Sequence, residues 1–103
     1  MTSAEYRWPE LDPIIHEAAR LRIIAILNEC ESAEFTFLLA ATELTRGNLS
    51  AHLAKLVGVG YVGEKKQFVE RRPCSSYKLT MAGNQAYTNY LRTWRRITKA
   101  RSV

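Results

Sequence analysis

The sequence predicts a mainly α-helical domain with one small β-hairpin, an α+β fold ordered helix, helix, helix, hairpin, helix. Three observations predict it. Leu49, Leu53 and Leu56 recur at i, i+4 and i+7, the spacing of one buried helical stripe. Beyond Gly60 the chain turns to strand-forming residues interrupted by the basic turn Glu70-Arg71-Arg72-Pro73. From Thr80 onward, Tyr87, Leu91, Trp94 and Ile97 fall on one face of a last helix, with Tyr90 beside them.

The first firm element opens at Leu11-Asp12-Pro13. Asp12 suits an N-cap, and Pro13 suits the first helical position because it has no N–H to lose there. The helix is expected to run to about Asn28. Its apolar residues form two stripes, Ile14/Ala18/Leu21/Ala25 and Ile15/Ala19/Ile23/Ile26. A monomeric surface helix needs one such face, so the second predicts packing against another body, such as a second subunit. Residues 29–34 are polar and read as a turn. Residues 35–41 (FTFLLAA) are apolar over about two turns, and periodicity does not separate helix from strand in so short a run.

Residues 42–45 break that run, and Thr45 is a good N-cap for a third helix reaching Val57, closed by Gly58 and Gly60. Residues 61–69 and 75–79 make the two strands of the hairpin. Pro73 is expected in the turn or at an edge, because it cannot donate to a ladder. Thr80 caps the last helix, about residues 80–101, whose far end carries Arg92, Arg95, Arg96, Lys99 and Arg101. There is no repeat or linker. The expected organisation is an N-terminal arm over residues 1–11 and one domain over 12–103.

Composition narrows the class. With 47% hydrophobic residues the chain can build a core without disulfide or metal staples. Cys30 and Cys74 are too few for a scaffold and too far apart for a local metal clip, so free thiols in a reducing compartment are expected, with no metal and no cofactor. The longest apolar run is residues 23–27, far short of the roughly 18 needed to span a bilayer, and the N-terminus has no secretion-signal pattern. The cytoplasm is the expected compartment, and no membrane partner is expected. No Gly-rich phosphate loop, nucleophile elbow or paired carboxylates point to an enzyme. The charge is unevenly divided. Eight acids against three arginines leave residues 1–43 at −5, while twelve Lys and Arg against Glu64 and Glu70 leave residues 44–103 at +10. Such a dipolar chain has the electrostatic footprint of a polyanion binder.

The element order is that of a winged helix-turn-helix. Leu44-Thr45-Arg46-Gly47-Asn48-Leu49-Ser50-Ala51-His52-Leu53-Ala54-Lys55-Leu56, followed by Gly60-Tyr61-Val62, resembles the recognition helix and first wing strand of MarR/ArsR-like winged-helix transcriptional regulators, in particular their short single-domain members. Leu11-Asp12-Pro13-Ile14-Ile15-His16 with Arg20-Leu21, Arg71-Arg72-Pro73 at the wing, and Tyr77-Lys78-Leu79-Thr80 with Gly83 extend the resemblance over about residues 11–91. It implies a homodimer that binds double-stranded DNA sequence-specifically. The third helix would enter the major groove, and the wing would rest on the backbone or minor groove.

The residues themselves agree with that placement. Opposite the leucine stripe stand Gly47, Asn48, Ala51 and Lys55, with Arg46 and Ser50 beside them, and the short Gly47, Ser50 and Ala51 would let the backbone approach a groove floor. Asn48 either pairs with adenine or is an ordinary first-turn polar residue. Arg46 and Lys55 are expected on phosphates, and Ser50 on bases or phosphates. On the wing, Lys65, Lys66, Arg71 and Arg72 are the expected backbone contacts. His52 and His16 read as packed structural histidines. Ile15 and Ala19 of the first helix, with Tyr87, Tyr90, Leu91 and Trp94 of the last, are the expected dimer interface, and two-fold symmetry would match a palindromic operator. No residue pattern marks a small-molecule effector. The rival readings are a winged-helix module for an acidic protein partner and a sequence-independent architectural DNA-binding protein. Coplanarity of third helix and wing bears on the first, and base selectivity on the second.

Overall fold

A computed structural model describes residues 9–99; most of the expected arm, and Arg101, lie outside the described residues. The elements are α1 (Ala18–Asn28), β1 (Ala33–Glu34), α2 (Phe35–Thr42), α3 (Arg46–Gly58), β2 (Val62–Val69), β3 (Arg72–Leu79) and α4 (Met81–Lys99). The strands form one antiparallel sheet in the order β1-β3-β2. Helices α1 to α3 enclose a core with the base of this sheet, and the β2–β3 hairpin projects from it as a wing.

The core takes the three leucines of α3 and, from one expected stripe, Ile15, Ala19 and Ile23; Ile24 and Leu27, which neither expected stripe contains, join it, while Ile26 is only partly buried. Ile15, Ile23, Ile24, Leu27, Leu38, Leu49, Leu53, Leu56 and Val62 are almost without solvent contact, and Tyr77 and Tyr90 close its margins. Each such aliphatic side chain stabilises the fold by about 1.5–3 kcal/mol relative to its exposed state. All three leucines of α3 point inward, so the helix has one fixed face to solvent.

The first helix starts later than expected. Asp12 makes a local turn instead of a helix cap: its carboxylate accepts from the Ile14 N–H (2.8 Å) and the Tyr61 hydroxyl (2.6 Å). Glu17 is extended and takes over the cap, accepting from the Arg20 N–H at 2.8 Å. Residues 29–34 are not wholly a turn either. Ala33 and Glu34 pair with Tyr77 and Ser76, adding a third strand. The ambiguous run 35–41 is helix α2.

The wing turn is tighter than expected. Only Glu70 and Arg71 lie in it, at φ 52° and 68°, the pattern of a two-residue I′ hairpin. Arg72 and Pro73 belong to β3, opposite Val69 and Phe68. Bonded and non-bonded pairs alternate along an antiparallel ladder. With Val69 and Arg72 closing the turn, Phe68–Pro73 is a non-bonded pair, and the proline ring nitrogen faces the edge that β1 is too short to reach.

Two joints set the angle of α3. Thr42 is buried at the end of α2, its hydroxyl bonded to the Leu38 carbonyl (2.7 Å), while Arg22 of α1 donates to the Thr42 carbonyl at 2.6 Å. Glu43 follows at φ 60°, turning the chain toward Thr45. At the other end, the Gly60 N–H reaches the Val57 carbonyl and the Tyr61 N–H the Leu56 carbonyl, both at 3.0 Å. This is a Schellman motif, with Gly60 at φ 85° supplying its left-handed residue.

Helix α4 is pinned at its start. Thr80 accepts from the Gly83 N–H at 3.0 Å and donates through its hydroxyl to the Gly60 carbonyl at 2.6 Å. Gly83 lies so close to Tyr61 that a Cβ there would overlap its carbonyl. The radius of gyration is 16.5 Å, against about 13 Å for a compact chain of this length, because the wing and the end of α4 leave the body.

Candidate nucleic-acid interface

Helix α3 presents to solvent the face that its leucines do not use. Arg46, Gly47, Asn48, Ser50, Ala51, Ala54 and Lys55 are all exposed, while Leu49, Leu53 and Leu56 anchor the opposite side. The Thr45 hydroxyl caps the helix, accepting from the Asn48 N–H at 3.1 Å. The Arg46 guanidinium stands 5.9 Å above the Phe35 ring, a cation–π contact that steadies a cation at the helix start.

The wing brings its cations alongside, but on two faces. Successive strand residues point to opposite sides, and directly paired residues point to the same side. Val62, Glu64, Lys66 and Phe68 therefore share the core-side face with Tyr77, Ser75 and Pro73, while Lys65 and Arg72 lie on the outer face and Arg71 sits in the turn. All four cations are exposed. Only Lys66 looks toward α3. There a cleft of about 430 Å³ is lined by Arg46 and Ser50 on the helix and by Lys66, Pro73 and Ser75 on the wing. Helix and wing thus border one concave surface, with Asn48, Ala51 and Lys55 on the exposed face of the same helix.

Two carboxylates, Glu34 and Glu64, also line this cleft. Glu64 accepts from the Tyr77 hydroxyl at 2.8 Å. Burial first, and the Glu64 carboxylate second, push the Tyr77 phenol up to about 12. The half-buried Cys74 thiol is also pushed up, by desolvation and by the adjacent Glu34 carboxylate, which disfavours its reactive thiolate.

Both histidines are engaged within the fold. His52 Nδ1 lies 3.3 Å from Arg20 Nη1 and 3.9 Å from Glu17 Oε1, and Arg20 Nε donates to the Ile14 carbonyl at 2.6 Å. Helix α3 is thereby tied to the start of α1. Glu17 has its carboxyl held below the usual range, chiefly by the Arg20 N–H that it accepts from, and further by the nearby His52 and Arg20 charges. His16 Nδ1 lies 2.9 Å from the Tyr90 hydroxyl, joining α4 to the same region.

The two stripes of α1 divide between inside and outside. Ile15 and Ala19 are on the inner one and serve the core, and Tyr90 is almost wholly covered by its own chain, so these three expected interface residues have little surface left for a partner, although Tyr90 also borders the groove on the outer side. The outer stripe faces α4 across an open groove of about 620 Å³, lined by Leu21, Ala25, Tyr87, Leu91 and Trp94. Trp94 stays 45% exposed, although it is the largest side chain on that face. Leu21 and Ala25 belong to a stripe legible in the sequence, but which stripe faces inward depends on how α1 is rotated in the fold.

A family model described as a winged helix DNA-binding domain matches residues 19–98. The chain belongs to this winged helix family. Among curated proteins it is 37% identical over 78 residues to an uncharacterized protein of Methanocaldococcus jannaschii, covering 76% of this chain and 85% of that one. Among solved structures it superposes on a transcriptional regulator homologue from Pyrococcus horikoshii OT3 with a TM-score of 0.81 and 24% identity, covering 87% and 89% of the two chains. A MarR-family regulator from Silicibacter pomeroyi aligns with a TM-score of 0.65 and 23% identity, over 84% of this chain and 57% of that one. These two likenesses speak to the fold. They give the domain the winged helix architecture, with α3 and the β2–β3 wing as its two protruding elements.

No helix among the described residues is long and apolar enough to cross a membrane. Among the same residues, no group of three or more His, Cys, Asp or Glu is placed to hold a metal ion.

Proposed function

We propose that the protein is a cytoplasmic, non-enzymatic transcriptional regulator that reads a palindromic DNA duplex as a homodimer. Helix α3 enters the major groove, with Asn48, Ser50 and Ala51 at base edges and Arg46 and Lys55 on phosphates. Lys65, Lys66, Arg71 and Arg72 carry the wing along the neighbouring backbone or minor groove. The observation that supports this reading is the shared concave surface: Arg46 and Ser50 of α3 and Lys66 of the wing line one cleft, so both basic elements can meet one duplex. Separate faces for helix and wing would have favoured a protein partner.

The dimer part rests on the α1–α4 groove. Tyr87, Leu91 and Trp94 form an apolar strip on a helix whose outer half has little of its own chain to cover it. A second copy packing its own α4 there would bury the strip and set two recognition helices about a two-fold axis.

Incubation with a random-sequence duplex library at physiological salt, followed by sequencing of the retained DNA, tests the proposal. A two-fold symmetric motif with half-sites about one helical turn apart supports it. Retention without a motif would point to sequence-independent architectural binding. No retention would defeat the DNA reading and turn attention to an acidic protein partner.

A further inference from the structure

The wing tip carries a feature that phosphate contacts do not require. Phe68 is 77% exposed, at the end of β2, with Val69 beside it at 46%. A large aromatic side chain left in water on a protruding hairpin is a liability for aggregation unless something covers it. Its own chain does not: the cross-strand neighbour is Pro73, itself exposed. Phe68 and Pro73 together form a small rigid apolar knuckle on the cleft-side face of the wing, the face that also carries Lys66.

The surroundings indicate what covers it. Lys65, Lys66, Arg71 and Arg72 lie within four residues of Phe68, against two acids in the same span, Glu70 and the Tyr77-bonded Glu64. An apolar tip ringed by cations is complementary to a partner with apolar faces stacked inside an anionic envelope, and a nucleic acid duplex is such a partner. Reach fits as well. Val62 is buried in the core and Phe68 stands six residues further along the same strand, about 20 Å at the usual strand rise. That is comparable to the half-turn of duplex, roughly 17 Å, between a major groove and the next minor groove. The two-residue turn holds the knuckle on a short, stiff hairpin.

We infer that Phe68, backed by Pro73, is an apolar wedge that enters the minor groove beside the α3 contact and partly unstacks one base step. The inference rests on the DNA-binding proposal and adds to it a residue that acts without charge. Inserted apolar side chains of this kind kink a duplex and favour steps that unstack readily, such as TA or CA/TG, so Phe68 contributes selectivity where no base hydrogen bond is made.

The test uses the full chain and the duplex recovered from the library selection, with 2-aminopurine placed at successive positions across the flanking minor groove. Wild type is expected to raise 2-aminopurine fluorescence at one step about half a turn from the α3 site. Phe68→Ala should abolish that signal and weaken binding roughly ten- to hundredfold, the order seen for loss of one stacked aromatic. Because no charge is lost, the log–log salt slope should stay that of wild type. Phe68→Leu should keep part of both affinity and signal. Since Phe68 is exposed, the variants should melt like wild type, which separates a lost wedge from a lost fold. Unchanged fluorescence along the whole duplex with wild type bound, or a Phe68→Ala variant of wild-type affinity, would overturn the wedge and leave the DNA-binding proposal intact. Failure of wild type to retain any duplex would overturn both.

Discussion

Two glycine-to-alanine substitutions should have opposite signs in this protein. At Gly83 the added Cβ would overlap the Tyr61 carbonyl oxygen and stand 2.8 Å from the carbonyl carbon. The obstacle is backbone, so no side-chain rotation relieves it. Moving α4 away would strain the bond from the Thr80 N–H to the Tyr61 carbonyl (3.1 Å) and that from the Thr80 hydroxyl to Gly60 (2.6 Å). Overpacking of this kind costs about 1–3 kcal/mol. A lost hydrogen bond adds about 0.5–1.5 kcal/mol, and alanine's helix preference returns at most about 1 kcal/mol. The balance is a loss of about 2 kcal/mol. For a domain of this size that lowers the melting temperature by roughly 8–16 °C. At Gly47 a Cβ meets nothing within 4 Å, and the residue is exposed in α3. There alanine should gain up to about 1 kcal/mol, raising the melting temperature by a few degrees. Thermal unfolding followed by far-ultraviolet circular dichroism would measure both, at one fixed protomer concentration because association shifts the midpoint. If Gly83→Ala proved as stable as Gly47→Ala, α4 could not be seated on Tyr61 as described.

Three further outcomes are expected. In DNA binding, Arg71→Ala with Arg72→Ala should weaken affinity for every duplex and flatten the salt slope by up to about 1.8 if both neutralise phosphates. Asn48→Ala should relax preference at one base instead, and equal losses on all sequences for both variants would refute that division of labour. The proposed dimer predicts that Trp94→Glu sediments as a monomer without unfolding where wild type sediments as a dimer; a wild-type monomer, or an unchanged dimer mass for the variant, would refute the α1–α4 groove as the contact. The Glu17 carboxyl has a folded pKa below its ordinary value near 4.5. Its stabilising contribution is therefore present above about pH 4.5 and lost as pH falls through the lowered folded value. Stability profiles of wild type and Glu17→Gln should converge below pH 4, and a constant gap down to pH 2 would contradict that account.

The third helix was the most legible element because its signals are local. Thr45, the Leu49/Leu53/Leu56 period and Gly60 each act within a few residues, and all agree on one helix and one buried face. The exposed polar set on that helix follows from the same period. At the start of α1 the local signals compete. Asp12 and Glu17 are both able to cap, and a distant residue settles the contest: the Tyr61 hydroxyl takes the second Asp12 oxygen, leaving the helix to begin after Glu17. Two residues of β1 carry no period at all, and they become a strand only because β3 offers a free edge at Tyr77 and Ser76.

The candidate site divides in the same way. Residue types and spacing were sufficient for an α+β domain with a basic hairpin and a third helix with one exposed polar face, since capping, helical period and charge are properties of neighbours along the chain. They left open which stripe of α1 turns inward, which wing cations share a face with α3, and whether Phe68 has anything to pack against. Those depend on the rotation of one element about another and on the strand register, where a shift of one residue exchanges the two faces of the wing. Burial of Ile15 and Tyr90 in one core, and exposure of Phe68 and Trp94 outside it, are outcomes of packing between residues far apart in sequence, which no local pattern encodes.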